Sequence, residues 1–195
     1  MKNPIIRNAI ILTAIALVLS VLLGFTNEFT KERIAEQEAL AKQKAYVTGF
    51  GDGITFEVND ELTGKAAAVA DAVVINEVVE AKDASGSLVG YGLNLTTSEG
   101  YGGNITLAMG VKVDGTLTGI DIIAHAETPG LGANCTKDSF KSQFAGIQAE
   151  EIVFSKTGKT LPNEIDAISS ATFTTKAVTG AVSAGLAFVN GECLK

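Results

Sequence analysis

Residues 105–125 read ITLAMGVKVDGTLTGIDIIAH, two apolar runs separated by Asp114-Gly115. Asp-Gly between such runs is a strong hairpin signal, because a tight primed turn needs positive φ and this pair tolerates it. Two more runs of the same character lie upstream, VVINEVVEA at 73–81 and LVGYGLNL at 88–95. Four adjacent antiparallel strands follow. Downstream, Phe140 and Phe144 stand one helical turn apart, which predicts a short helix over 136–144 with one buried edge. A brief strand at 152–154 and the turn SKTGK come next. From Thr174 to Val189, Ala177, Val178, Ala181, Val182, Gly185 and Leu186 predict a long helix laid closely on a sheet, with Gly191 as its stop. The expected class is α+β, built on a twisted antiparallel sheet.

Length and composition narrow the function. The 195 residues suit one ordinary domain with an appendage, and 21 glycines (about 11%, against the usual ~7%) indicate many turns or close backbone approaches. Fifteen basic residues against 22 acidic give a charge of −7, so a nucleic-acid-binding face is excluded. Cys135 and Cys193 form no C-x-x-C pair, and His125 is the single histidine. Zinc and cysteine-ligated iron–sulfur sites are thereby disfavoured, and no metal site is expected. Hard redox chemistry would need an organic cofactor.

Residues 9–25, AIILTAIALVLSVLLGF, carry no charge and as a helix span about 26 Å, enough for a thin bilayer. The run is longer than a usual signal-peptide core and no A-x-A site follows it, so an uncleaved anchor is expected. Lys2 and Arg7 precede it. The positive-inside rule then holds the N-terminus in the cytoplasm and places the rest on the periplasmic or extracellular side of the cell membrane. Setting Lys2 and Arg7 aside leaves 13 basic against 22 acidic residues, −9 for the remainder. Residues 28–46, rich in Ala, Glu, Gln and Lys, predict a charged stalk helix, with Glu38 and Lys42 one turn apart. Gly49, Gly51 and Gly53 end it. The expected organisation is a stub and anchor at 1–26, stalk and linker at 27–70, and a globular domain at 71–195.

Two segments carry chemistry. His125 to Asn134 holds a Pro-Gly turn and two glycines around Leu131, so backbone N–H groups are exposed to a flat ring or an anion. A plain strand-to-helix turn accounts for the same residues. In the second, Asp166 to Lys176, the hydroxyls of Ser169, Ser170, Thr172, Thr174 and Thr175 crowd a helix start. Unpaired N–H donors and the helix dipole stabilise a phosphate there, and Lys176 adds a full charge. A ligand-free N-cap cluster is the alternative. A serine hydrolase is a poorer reading, since no G-x-S-x-G elbow is present.

Together these pieces resemble the FMN-binding domain family of respiratory electron carriers. The family's flavinylation motif is an aspartate, two variable residues, Ser/Thr, usually Gly or Ser, then Ala-Thr. Asp166-Ala167-Ile168-Ser169-Ser170-Ala171-Thr172 matches it, with serine at 170 where glycine is commoner. The second hallmark, Glu-Thr-Pro-Gly-Leu-Gly, stands unchanged at 127–132, and Gly-Tyr-Gly-Gly at 100–103. Chain length is closest to the G subunit of Rnf, the ion-translocating ferredoxin:NAD⁺ oxidoreductase. The C subunit of the Na⁺-translocating NADH:quinone reductase shares the motifs but is usually longer.

The resemblance implies an electron carrier in an ion-translocating complex, with FMN held as a phosphodiester on Thr172. It implies attachment by a separate Mg²⁺-dependent flavin transferase of the ApbE type that reads Asp166, and neighbouring membrane subunits as redox partners. Under it, Glu127, Thr128 and the N–H groups of Gly130, Leu131 and Gly132 border the ring, while Ser169, Ser170, Ala171, Thr175 and Lys176 surround the phosphate. His125 is either a second-layer or a purely structural residue. Tyr101 either stacks on the flavin or merely packs. Cys135 and Cys193 either pair or remain free. A tethered, non-redox binding module stays as the alternative from another class.

Overall fold

The computed structural model describes residues 4–66 and 72–194, apart from the side chains of residues 32, 34, 35, 38, 39, 43, 44, 47 and 48. Lys2, the expected 70/71 boundary and the Glu38–Lys42 pair lie outside that description. The chain divides into two units, Met1–Leu40 and Ala41–Lys195. The described part of the first, from residue 4, is helical throughout, and this helix, α1, spans Pro4–Phe50, so that its last ten residues belong to the second unit. Within Pro4–Lys31 the most apolar 18-residue stretch has a mean hydropathy of 2.6 and none of it is buried, so the segment is long and apolar enough to cross a membrane.

The second unit is an antiparallel meander of five strands in the order β1 to β5: Thr55–Val58, Val73–Lys82, Leu88–Thr97, Ile105–Lys112 and Leu117–His125. Four of these are the strands read from the sequence. The fifth, β1, falls in the expected linker, as does helix α2 (Asp60–Ala66). Short-range pattern is weak there. Pairing of β1 along β2 orders the segment, and Asn59 caps α2 by accepting the Leu62 N–H at 2.9 Å.

Register in β2 depends on a bulge. Ile75 and Val78 are three residues apart and would face opposite ways in a regular strand, yet both enter the main core. The irregularity between Ile75 and Glu77 restores the face. The 112–116 turn differs from the primed turn expected. Gly115 N–H bonds Lys112 O, and only Gly115 takes positive φ (82°), so a type I turn closes with glycine in the left-handed position. Asp114 instead accepts the Thr116 N–H at 2.9 Å.

After β5, the chain makes a 3₁₀ turn (Gly132–Thr136), a single helical turn α3 (Asp138–Lys141) and another 3₁₀ turn. Phe140 and Phe144 meet edge-on at 5.4 Å as their spacing predicts. Strands β6 (Val153–Ser155) and β7 (Glu164–Asp166) pair in parallel; β7 is too short to read from sequence.

Helix α4 (Thr172–Phe188) crosses one sheet face, burying Ala177, Val178, Ala181, Val182, Gly185 and Leu186 against strands β2 to β4. At Gly185 the absent Cβ gives Met109 Sδ its space. Gly191 does not stop the chain's coiling: a π-turn, Val189–Cys193, continues from α4 because the Leu194 N–H reaches back to Val189 O. Tyr46 and Phe56 lie with Val79 and Ala108 on the opposite face. Leu95 is fully buried beneath α4. Leu95→Ala is expected to lower unfolding free energy by about 2–5 kcal/mol, measured by denaturant titration of the full chain in detergent.

Candidate functional site

The two motif segments meet at one place. The end of β5 delivers the 127–132 turn, and the first turn of α4 delivers residues 172–174. Both line a cleft of about 410 Å³ with Tyr101 from the loop between β3 and β4. That volume falls within the ~300–1,000 Å³ usual for small-molecule sites. Thr172 is half-buried on the cleft wall. Leu131, Tyr101 and Phe173 supply apolar surface, with Tyr101 and Phe173 mostly exposed and their ring centroids 6.3 Å apart. Phe173 is absent from the expected site. Its signal was an aromatic residue set among hydroxyls on the solvent side of an apolar helix.

The expected site residues divide into groups. Glu127, Thr128, Leu131, Gly132, Ser170, Ala171 and Thr172 line the cleft. Ser169 and Asp166 line a separate cleft of about 450 Å³ beside Lys137, Gln143 and Lys159. The Asp166 carboxylate there accepts the Lys159 N–H at 2.6 Å. Gly130 sits at the turn's exposed outer bend, and the Leu131 N–H is already taken by Thr128 O at 3.1 Å. Thr175 is fully buried, donates to Ala171 O and accepts the Ile168 N–H, so it holds the motif loop against α4. Lys176 lies on the exposed side, 3.6 Å from Glu99.

The hydroxyl cluster does not act as an N-cap. Ala171 occupies the cap position and no side chain bonds there. The first N–H groups of α4 therefore have no side-chain cap, and the positive end of the helix dipole lies at Thr172. Nor is a serine–histidine pair formed: His125 Nδ1 accepts the Glu127 backbone N–H at 3.1 Å, and among the described residues it bonds neither Ser169 nor Ser170. Among the described residues no group of His, Cys, Asp and Glu is placed to hold a metal.

Three comparisons bear on this cleft. Residues 100–187 match the FMN-binding domain, and residues 1–47 match the RnfG N-terminal region. The chain is 30% identical over 204 residues to the G subunit of the ion-translocating oxidoreductase complex of Shewanella baltica, covering 98% of this chain and 92% of that protein. The chain belongs to the family of G subunits of ion-translocating oxidoreductase complexes. Over 101 residues it is 42% identical to the G subunit of the Na⁺-translocating ferredoxin:NAD⁺ oxidoreductase complex of Acetobacterium woodii, covering 51% of this chain. There the chain spans about half the length of its relative, 48%. A crystal structure of NqrC from Shewanella oneidensis aligns with a TM-score of 0.59 at 18% identity, over 80% of this chain and 97% of that one, and shares the fold.

Within this member of the G-subunit family, position 170 gains a physical meaning. Ser170 is the one described non-glycine residue with positive φ, 60°. The left-handed conformation, rather than small size, is what makes glycine suitable there. Ser170→Gly is expected to keep or slightly raise stability, by about 0.5 kcal/mol, whereas Ser170→Val loses about 1–2 kcal/mol. Paired thermal melts of the two variants check this.

Both cysteines are free thiols. Burial, and then the Glu127 carboxylate, push Cys135 up to about 11. Its thiolate is therefore scarce at pH 8, and Cys135 should react with a maleimide roughly a hundredfold slower than an exposed cysteine until the chain is unfolded.

Proposed function

We propose that this chain is the membrane-anchored flavoprotein carrier of an Rnf-type ion-translocating ferredoxin:NAD⁺ oxidoreductase, with FMN phosphoester-linked to Thr172. The observation that carries the reading is convergence. Segments nearly 40 residues apart in sequence line one cleft, and Thr172 lines it at the start of α4.

The residues present fit such a group. A phosphoryl group on Thr172 Oγ1 lies at the N-terminal end of a 17-residue helix, where unpaired N–H groups and the dipole stabilise negative charge. Leu131, Tyr101 and Phe173 offer apolar faces to a planar ring system, and the exposed Thr128 hydroxyl offers a hydrogen bond that orients it. FMN, when bound, supplies the one- and two-electron chemistry. The chain's own work is to tether, orient and partly desolvate it.

The tether suits the compartment. With Lys2 and Arg7 on the cytoplasmic side, the acidic domain lies outside, where a lost cofactor would not be recaptured. A covalent link keeps the local concentration high. Attachment falls to a flavin transferase of the ApbE type that reads Asp166, and electrons pass to and from neighbouring membrane subunits. Thr172→Val is expected to abolish flavin fluorescence on the denatured band, while Ser170→Gly retains it; fluorescence persisting on the Thr172→Val band would overturn the assignment.

A further inference from the structure

We infer that Glu127 is a positioning residue, not a ring contact, and that glycines of both glycine-rich motifs exist to admit its carboxylate. Glu127 is 5% exposed. A buried carboxylate is costly unless its oxygens find donors, and both do. Oε1 accepts the Gly102 N–H at 2.9 Å, and Oε2 accepts the Thr174 hydroxyl, itself 1% exposed. The side chain thereby ties three segments: the 100–103 loop, its own turn, and the first turn of α4.

The glycines fit around it. A Cβ at Gly132 would fall on Glu127 Oε2 and lie 2.5 Å from Thr174 Oγ1. One at Gly100 would fall on Gly103 O and lie 2.8 Å from Glu127 Oε1, and one at Gly102 would fall on Ala126 O. Gly100 and Gly132 are thus walls of a carboxylate pocket, and Gly102 makes room for the Ala126 carbonyl while its own N–H binds the carboxylate. Both segments that Glu127 ties carry an aromatic ring at the cleft. Tyr101 stands between Gly100 and Gly102, and Phe173 adjoins Thr174. By joining Gly102 to Thr174, Glu127 sets the gap between these two rings and the direction in which Thr172, two residues from Thr174, faces.

The test uses the full chain in detergent and has two readouts. In the flavin-free chain, amide exchange at Gly102 is followed by NMR for Glu127→Ala and Glu127→Gln. A hydrogen bond to a charged acceptor is worth a little over one decade in an equilibrium, so Glu127→Ala should speed Gly102 exchange at least about tenfold. Glu127→Gln keeps an acceptor for Gly102 and a partner for Thr174, and should stay within about threefold of the parent. The second readout rests on the FMN reading: in the flavin-loaded chain, Glu127→Ala and Thr174→Val should alter the visible circular dichroism of the flavin and at least double iodide quenching, with Glu127→Gln matching the parent. Unchanged Gly102 exchange in Glu127→Ala, or Glu127→Gln behaving like Glu127→Ala, would overturn the inference. Should Glu127→Ala fail to fold, Thr174→Val decides: a flavin signal identical to the parent's is the contrary result. A parent chain that takes up no flavin would sink the functional reading, yet the amide measurement would still judge Glu127.

Discussion

One carboxylate buried between two glycine-rich turns and a helix end is the constraint on which the cleft depends. Glu127 has both oxygens bonded to donors on other segments, and its backbone N–H bonded to His125. Removing one partner of such a buried group leaves the other unsatisfied, which costs more than the bond itself contributes. The three segments are therefore coupled: a shift of α4 by part of a turn would strand the carboxylate. The sheet enforces this seating from below, because Leu95, Met109 and Gly185 leave α4 little freedom to roll.

Much of this architecture is legible in the amino-acid order. Strands β2 to β5 declare themselves by apolar runs and turn residues, and α4 by small apolar residues at three- and four-residue spacing. The apolar helix at the start is equally plain. Other features depend on contacts that a linear reading does not contain. Strand β1 exists because β2 offers it an edge, and β7 because β6 does. The bulge at Asn76 is invisible until Ile75 and Val78 are required in one core.

The candidate site is readable in its members but not in their directions. Both motifs are identifiable, yet Thr175 turns inward to hold the Ile168 N–H, and Ser169 and Asp166 face a different cleft from Thr172. Consecutive residues at an irregular loop-to-helix junction point in several directions, and a left-handed Ser170 reverses the chain just before the helix begins. Periodicity has no purchase there. Phe173 is a different case: its exposure follows from the phase of α4, which the core residues downstream determine, so it is legible from the helical periodicity. Glu127 carries the opposite lesson, since a charged residue in a motif invites assignment to a ligand when its partners lie within the protein.

The proposed carrier role stands on a flavin phosphoryl group at Thr172 Oγ1. No lysine or arginine lies between Lys159 and Lys176, so trypsin releases residues 160–176 as one peptide containing a single expected attachment point. Mass mapping of that peptide from native membranes is the most direct test. The expected result is the added mass of FMN less water, with fragment ions placing it on Thr172; an unmodified peptide, or the addition on another residue, would contradict it.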